Sequence, residues 1–124
     1  MGSSEFTKKV PLELLCLRLL EERDMYGYEI MTEIRNRSQG VIDISLPTIY
    51  FALKRLTENG SITSYDMGGS NAHERSRMYY HLETPGHKNK EELQVLYDRA
   101  IYGVKLFFET FSEGGKEIEP FDGN

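Results

Sequence analysis

Apolar residues recur with a helical period over most of the chain and change to a two-residue period in one short stretch. Over residues 11–22, Leu12, Leu15, Cys16 and Leu19 share one side of a helix, while Leu14 and Leu17 fall nearly opposite. A helix apolar on two sides is sandwiched, here between its own core and a second element. A second helix is expected over residues 25–38. Asp24 is placed to cap it, Tyr26, Ile30 and Ile34 lie along one side, and Gly27 lets a neighbour approach closely. Residues 41–44 form a short β-branched connector. The best-delimited helix lies within residues 45–62. Ser45 can cap it and Pro47 suits its first turn. Ile49, Ala52, Leu53 and Leu56 stand at i, i+3, i+4 and i+7, and Asn59-Gly60 stops it with Ile62 placed to pack back. The period then falls to two. Residues 61–66 and 78–82, rich in Ile, Thr and Tyr, predict a hairpin whose glycine-led, partly basic tip spans residues 67–77.

Over the final segment, Leu93, Tyr97, Ala100, Val104, Phe107 and Phe111 step by four, three, four, three and four, a heptad seam that wants another helix. No other segment is as long, so the seam predicts a homodimer, with Leu96, Ile101 and Phe108 left to pack on the chain's own first helix. The expected architecture is mainly α with a small β-hairpin. Residues 1–6 resemble a cloning scar, residues 7–83 form a winged helix-turn-helix domain, residues 84–113 form a long C-terminal dimerisation helix, and residues 114–124 form a loose acidic tail.

Three helices followed by a basic-tipped hairpin is the order in which the third helix enters a major groove. On that helix the side opposite the apolar stripe carries Pro47, Phe51, Lys54 and Glu58, flanked by Thr48, Tyr50, Arg55 and Thr57. The bland alternative is a solvated face with one stray aromatic. The candidate DNA-reading residues are Ser45, Thr48, Tyr50, Phe51, Lys54 and Arg55. Arg35 and Arg37 at the end of the second helix suit its dipole or a phosphate, and His73, Arg75 and Arg77 lie on the wing.

Charge complicates this picture. Fifteen Lys and Arg against twenty Asp and Glu give −5, which is awkward for a phosphate binder. The distribution softens the conflict: residues 35–82 carry six cations against four acids, and residues 83–124 carry five against nine. An alternative function is therefore a winged-helix protein-interaction module using Tyr50 and Phe51. Catalysis is not expected. His73, His81 and His87 lie in or beside the hairpin, and Cys16 sits in a leucine run. Gly68-Gly69-Ser70 lacks the lysine of a phosphate loop, and no metal spacing occurs. No cofactor and no membrane span are expected, and one cysteine fits a reducing cytoplasm.

Several separate motifs carry a family resemblance: Tyr26-Gly27-Tyr28-Glu29-Ile30, Thr48-Ile49-Tyr50, Ala52-Leu53-Lys54-Arg55-Leu56, Asn59-Gly60-Ser61-Ile62, and Tyr79-Tyr80-His81-Leu82 with Gly86. In this order and spacing, over residues 12–86, the chain resembles the PadR-like (phenolic acid decarboxylase repressor type) transcriptional regulators. It departs at Phe51, where proline is frequent, and at His87, where arginine or lysine is usual. The resemblance implies a homodimeric repressor of a double-stranded DNA operator, paired through the C-terminal helix and the first helix. Leu14 and Leu17 would then join the seam. It also implies, for some relatives, release by a small aromatic or drug-like effector, for which Tyr97, Tyr102, Phe107 and Phe108 are the candidate lining.

Overall fold

A computed structural model describes residues 4–68 and 77–112. The element order is α1 (Ser4–Lys9), α2 (Leu12–Leu20), β1 (Met25–Tyr26), α3 (Gly27–Arg37), α4 (Leu46–Glu58), β2 (Ile62–Asp66), β3 (Met78–Leu82) and α5 (Thr84–Glu109). The chain divides into two units, Met1–Glu91 and Glu92–Asn124. The mainly helical reading holds, and the small β element is a sheet of three antiparallel strands in the order β1-β3-β2.

The added strand is β1. Its two residues were expected to open the second helix with Asp24 as cap, but Met25 pairs with Tyr80 and Tyr26 with Tyr79. The helix begins two residues later, at Gly27. Tyr26 is its N-cap, and Glu29 Oε1 reaches back to accept from the Tyr26 N–H at 3.2 Å. Asp24 is left outside and serves the sheet instead. Helix α1 covers residues 4–6, which the sequence reading placed outside the fold.

The first unit has one core. Leu14, Cys16, Leu17, Leu19 and Leu20 of α2 meet Met25, Ile30, Ile34 and Ile44, the α4 stripe of Ile49, Ala52, Leu53 and Leu56, and Ile62 and Leu82 of the sheet, all buried. Register explains the sheet's share. Ile62 faces Leu82 on the core side, so Thr63 opposite His81 and Tyr65 opposite Tyr79 take the outer side. Helix α4 ends as its sequence requires. Gly60 has φ +83°, its N–H donates to the Thr57 carbonyl at 3.1 Å, and the Ser61 N–H donates to the Leu56 carbonyl at 2.9 Å.

The opening turns of α5 belong to this unit. Glu83 N–H donates to the Ser61 carbonyl at 3.0 Å, Asn89 Nδ2 donates to Ser61 Oγ at 3.0 Å, and Lys90 Nζ lies 3.3 Å from Glu21 Oε2. Gly86 is required here, because a Cβ at this position would collide with the Ser61 carbonyl oxygen. From Glu92 onward the chain is a unit of its own, and the apolar side chains from Val95 of α5 to Phe111 just past its end are exposed.

Candidate nucleic-acid interface

Helix α4 divides its residues between core and surface. With Ile49, Leu53 and Leu56 fully buried on one side, the other must present Phe51, 63% exposed, and the exposed Lys54. Its entry is organised differently from the expected cap: Ser45 Oγ lies 3.0 Å from Thr48 Oγ1, and the Ser45 carbonyl accepts from the Ile49 N–H at 3.1 Å. Thr48 is half-buried. Lys54 Nζ stands 3.7 Å from Glu58 Oε2, an exposed i,i+4 pair that water and salt weaken readily. Ser45, Thr48, Phe51 and Lys54 therefore share one accessible surface.

Three other DNA-contact candidates, Arg55 and Tyr50 of α4 and Arg37 at the end of α3, have further partners. Arg55 Nε is 2.9 Å from Glu13 Oε2, so it ties α4 to α2. The Tyr50 ring, 44% exposed, lies over Gly27: a Cβ there would stand 2.6 Å from Tyr50 Cε1. Arg37 is the clearest case. Its guanidinium donates to both oxygens of Glu22 at 2.8 Å, and its Nε donates to Glu33 at 2.8 Å. These bonds from Arg37 hold the Glu22 carboxyl below its usual range and raise Arg37 in turn. Three of its five N–H donors are engaged by Glu22, just beyond α2, and by Glu33 of α3, which argues against the free phosphate contact expected of it. Arg35, 4.0 Å from Asp43, keeps a looser hold.

On the wing, the Arg77 guanidinium sits 4.8 Å from the centre of the Tyr26 ring, a cation–π contact. Tyr26 in turn meets Tyr79 at 5.3 Å, and Tyr79 stacks with Tyr65 at 5.8 Å. His73 and Arg75 lie outside the described residues. Below the tyrosines Asp24 ties both strands, accepting from Tyr65 Oη at 2.7 Å and lying 2.8 Å from His81 Nδ1. The sequence reading missed Asp24, Tyr26 and Tyr79 as supports of the wing. Only the register, Tyr79 opposite Tyr65 on one side and opposite Tyr26 on the other, brings these rings together.

The dimer candidates separate into two groups. Leu14 and Leu17 are 5% and 0% exposed within their own chain, so they are core residues and not a free surface for a partner. Cys16 and Leu19 on the other side are buried as well, so α2 spends both apolar sides within its own chain and leaves Leu12 and Leu15 half-buried. Along α5, Leu93 is half-buried, while Tyr97, Ala100, Val104 and Phe107 are exposed, as is Phe111 just past its end. Of the candidate effector lining, Phe107 and Phe108 meet edge to face at 5.4 Å, and Phe107 meets Phe111 at 5.2 Å. Tyr102 lies about 140° round the helix from Tyr97, so the four do not converge on a single copy of α5.

The remaining chemistry is sparse. No group of three or more His, Cys, Asp or Glu side chains able to hold a metal occurs among the described residues, and none of their helices is long and apolar enough to cross a membrane. Burial pushes the Cys16 thiol up to about 12, with Glu13 adding to it, which leaves it protonated and inert.

Three packed helices, a sheet that carries a wing and an accessible face on the third helix define a winged helix-turn-helix protein. The chain belongs to the PadR-like family of transcriptional regulators, whose family description matches residues 16–92. A transcriptional regulator from Clostridium thermocellum superposes with a TM-score of 0.74 at 30% identity, over 86% of this chain and 98% of that one. PadR of Bacillus subtilis, in complex with operator DNA, shares the fold with a TM-score of 0.61 at 23% identity, over 68% of this chain and 46% of that one. An uncharacterised protein of Lysinibacillus sphaericus is 33% identical over 98 residues, 79% of this chain and 88% of its own length.

Proposed function

We propose that the chain is a homodimeric cytoplasmic repressor whose two α4 helices enter successive major grooves of an inverted-repeat operator, with half-sites about one turn, on the order of 10 bp, apart. The observation that carries this is the division of α4, whose apolar stripe is spent on the core while Phe51 and Lys54 are exposed on the opposite side, within reach of base edges. Thr48, Phe51 and Lys54 read, and Arg77 with the wing touches phosphate. Pairing runs along Leu93, Tyr97, Ala100, Val104, Phe107 and Phe111, which a second copy of the helix would cover. A small aromatic effector taken up between paired α5 helices, against Tyr97, Tyr102, Phe107 and Phe108, would release the operator by changing the spacing of the two reading helices.

The competing reading, a protein-interaction module, draws on the same face and on the acidic partners that occupy Arg37 and Arg55. Titrating operator and scrambled duplexes across a salt series separates the two. Phe51→Ala should cost about 1–3 kcal/mol on the operator and little on the scrambled duplex, because the ring meets a thymine methyl only at the right site. Arg77→Ala should weaken both duplexes alike and lower the salt slope by about one. Binding that ignores salt, or equal losses for Phe51→Ala on both duplexes, would leave the interaction module standing.

A further inference from the structure

The Gly27–Tyr50 contact lies where α3, α4 and the sheet meet. Gly27 is the first residue of α3 and follows Tyr26 of β1 directly, and it is buried. A Cβ at Gly27 would lie 2.6 Å from Tyr50 Cε1, 2.9 Å from Cζ and 3.0 Å from the hydroxyl, all inside ordinary contact distance. Tyr50 comes from the flank of α4, one residue before Phe51. One half-exposed ring from α4 thus closes on the start of α3.

We propose that Gly27 is a positioning residue for operator reading: by leaving its Cβ space empty it seats the Tyr50 ring, and the seated ring sets where α4 presents Phe51 and Lys54. This rests on the DNA reading proposed above. Nothing in the backbone at Gly27 demands glycine, since its φ is not positive and alanine is the better helix former. A glycine that helix propensity disfavours, facing an aromatic ring at this distance, is held by the ring. An added methyl must either push α4 outward or swing the ring into the surface that carries Phe51. Both alter base reading, and neither removes a phosphate contact.

The test compares Gly27→Ala in two backgrounds, the full chain and Tyr50→Ala, on a duplex the full chain selects from a random library and on its scrambled counterpart. In the full chain Gly27→Ala should weaken the selected duplex about tenfold, the equivalent of one lost base contact, and leave the scrambled duplex within about twofold. The amide resonances of Phe51 and Lys54 should shift in the same variant without DNA. In the Tyr50→Ala background the added methyl should change neither duplex nor those resonances, and the melting temperature should hold or rise. Should Tyr50→Ala fold poorly, Tyr50→Leu serves the same purpose, since its shorter side chain leaves the space open. Equal losses in both backgrounds, or equal losses on both duplexes, overturn the proposal. If the unsubstituted chain does not distinguish the duplexes, the DNA reading fails, and the amide shifts still decide whether Tyr50 carries the effect of Gly27.

Discussion

Helix α4 and the part of α5 beyond Glu92 carry the same kind of apolar stripe and meet opposite ends. In α4 the residues Ile49, Leu53 and Leu56 are fully buried within the chain, while along α5 Val104 is 56% and Phe107 57% exposed. The pattern alone does not distinguish them, since helical periodicity says that a face wants covering and not what covers it. Length makes the difference. Thirteen residues of α4 are short enough for α2, α3 and the sheet to enclose, whereas α5 runs for 26 residues, and its distal part is a unit apart. A stripe that its own chain completes builds a domain, and the one left bare is the surface proposed above for pairing.

The strongest way to break this contrast is to charge the bare stripe. Val104→Glu with Phe107→Glu places two carboxylates from each subunit into the proposed seam, where each buried unpaired charge costs on the order of several kcal/mol. Sedimentation should give a monomer, and operator binding should disappear with the dimer. The first unit should keep its melting transition, because neither residue belongs to its core. A double variant that sediments as a dimer would place the subunit contact elsewhere.

The converse is Leu53→Ala, which opens a cavity under α4 and should destabilise the first unit by about 2–5 kcal/mol, measured by denaturant unfolding. At low temperature, where the fold persists, the variant should still dimerise. Loss of dimer in step with loss of the core would mean that the two stripes are not separate, and the contrast would fall.

The same contrast explains what the sequence made legible. The α4 stripe, its Pro47 entry and its Asn59-Gly60 stop were readable because each is a local signal: a period, a fixed φ and a positive φ. The heptad of α5 was readable for the same reason. The facing of α2 was not, because that helix is apolar nearly all round and only tertiary packing selects Leu14 and Leu17 over Leu12 and Leu15. Nor was β1, a two-residue strand whose identity depends on a pairing partner more than fifty residues away. In the candidate site, exposure of Phe51 and Lys54 followed from phase. The diversion of Arg37 to Glu22, of Arg55 to Glu13 and of Tyr50 to Gly27 needed coordinates, since charge and ring partners outside a residue's own helix leave no periodic trace.

The smallest expected effect sharpens the contrast from the polar side. In the first unit a carboxylate joins two strands, whereas beyond Glu92 the described side-chain polar bonds stay within α5, as between Gln94 and Asp98. Any pH dependence from this source should therefore belong to the first unit. Partial burial by itself would raise Asp24, but hydrogen bonds from Tyr65 and His81, with the charge of His81, bring it below its ordinary 3.8. His81 is raised above its ordinary 6.5, first by its hydrogen bond to Asp24, against a small burial effect, with Glu83 adding to the rise. For His81 the stabilising contribution is complete below 6.5 and is lost as pH rises through its raised folded value. For Asp24 the contribution is complete above 3.8 and is lost as pH falls through its lowered folded value. The pair therefore supports the base of the wing best between those two ordinary values. Because the His81 side chain is 52% exposed, solvent screening keeps the effect small. A titration of His81 by NMR should give a value above 6.5, returning toward it in Asp24→Asn. The melting temperature of the first unit should fall slightly from pH 6 to pH 8 in the unsubstituted chain, and this fall should be reduced in Asp24→Asn. An unchanged His81 titration in that variant would show that the contact does not hold the strands in solution.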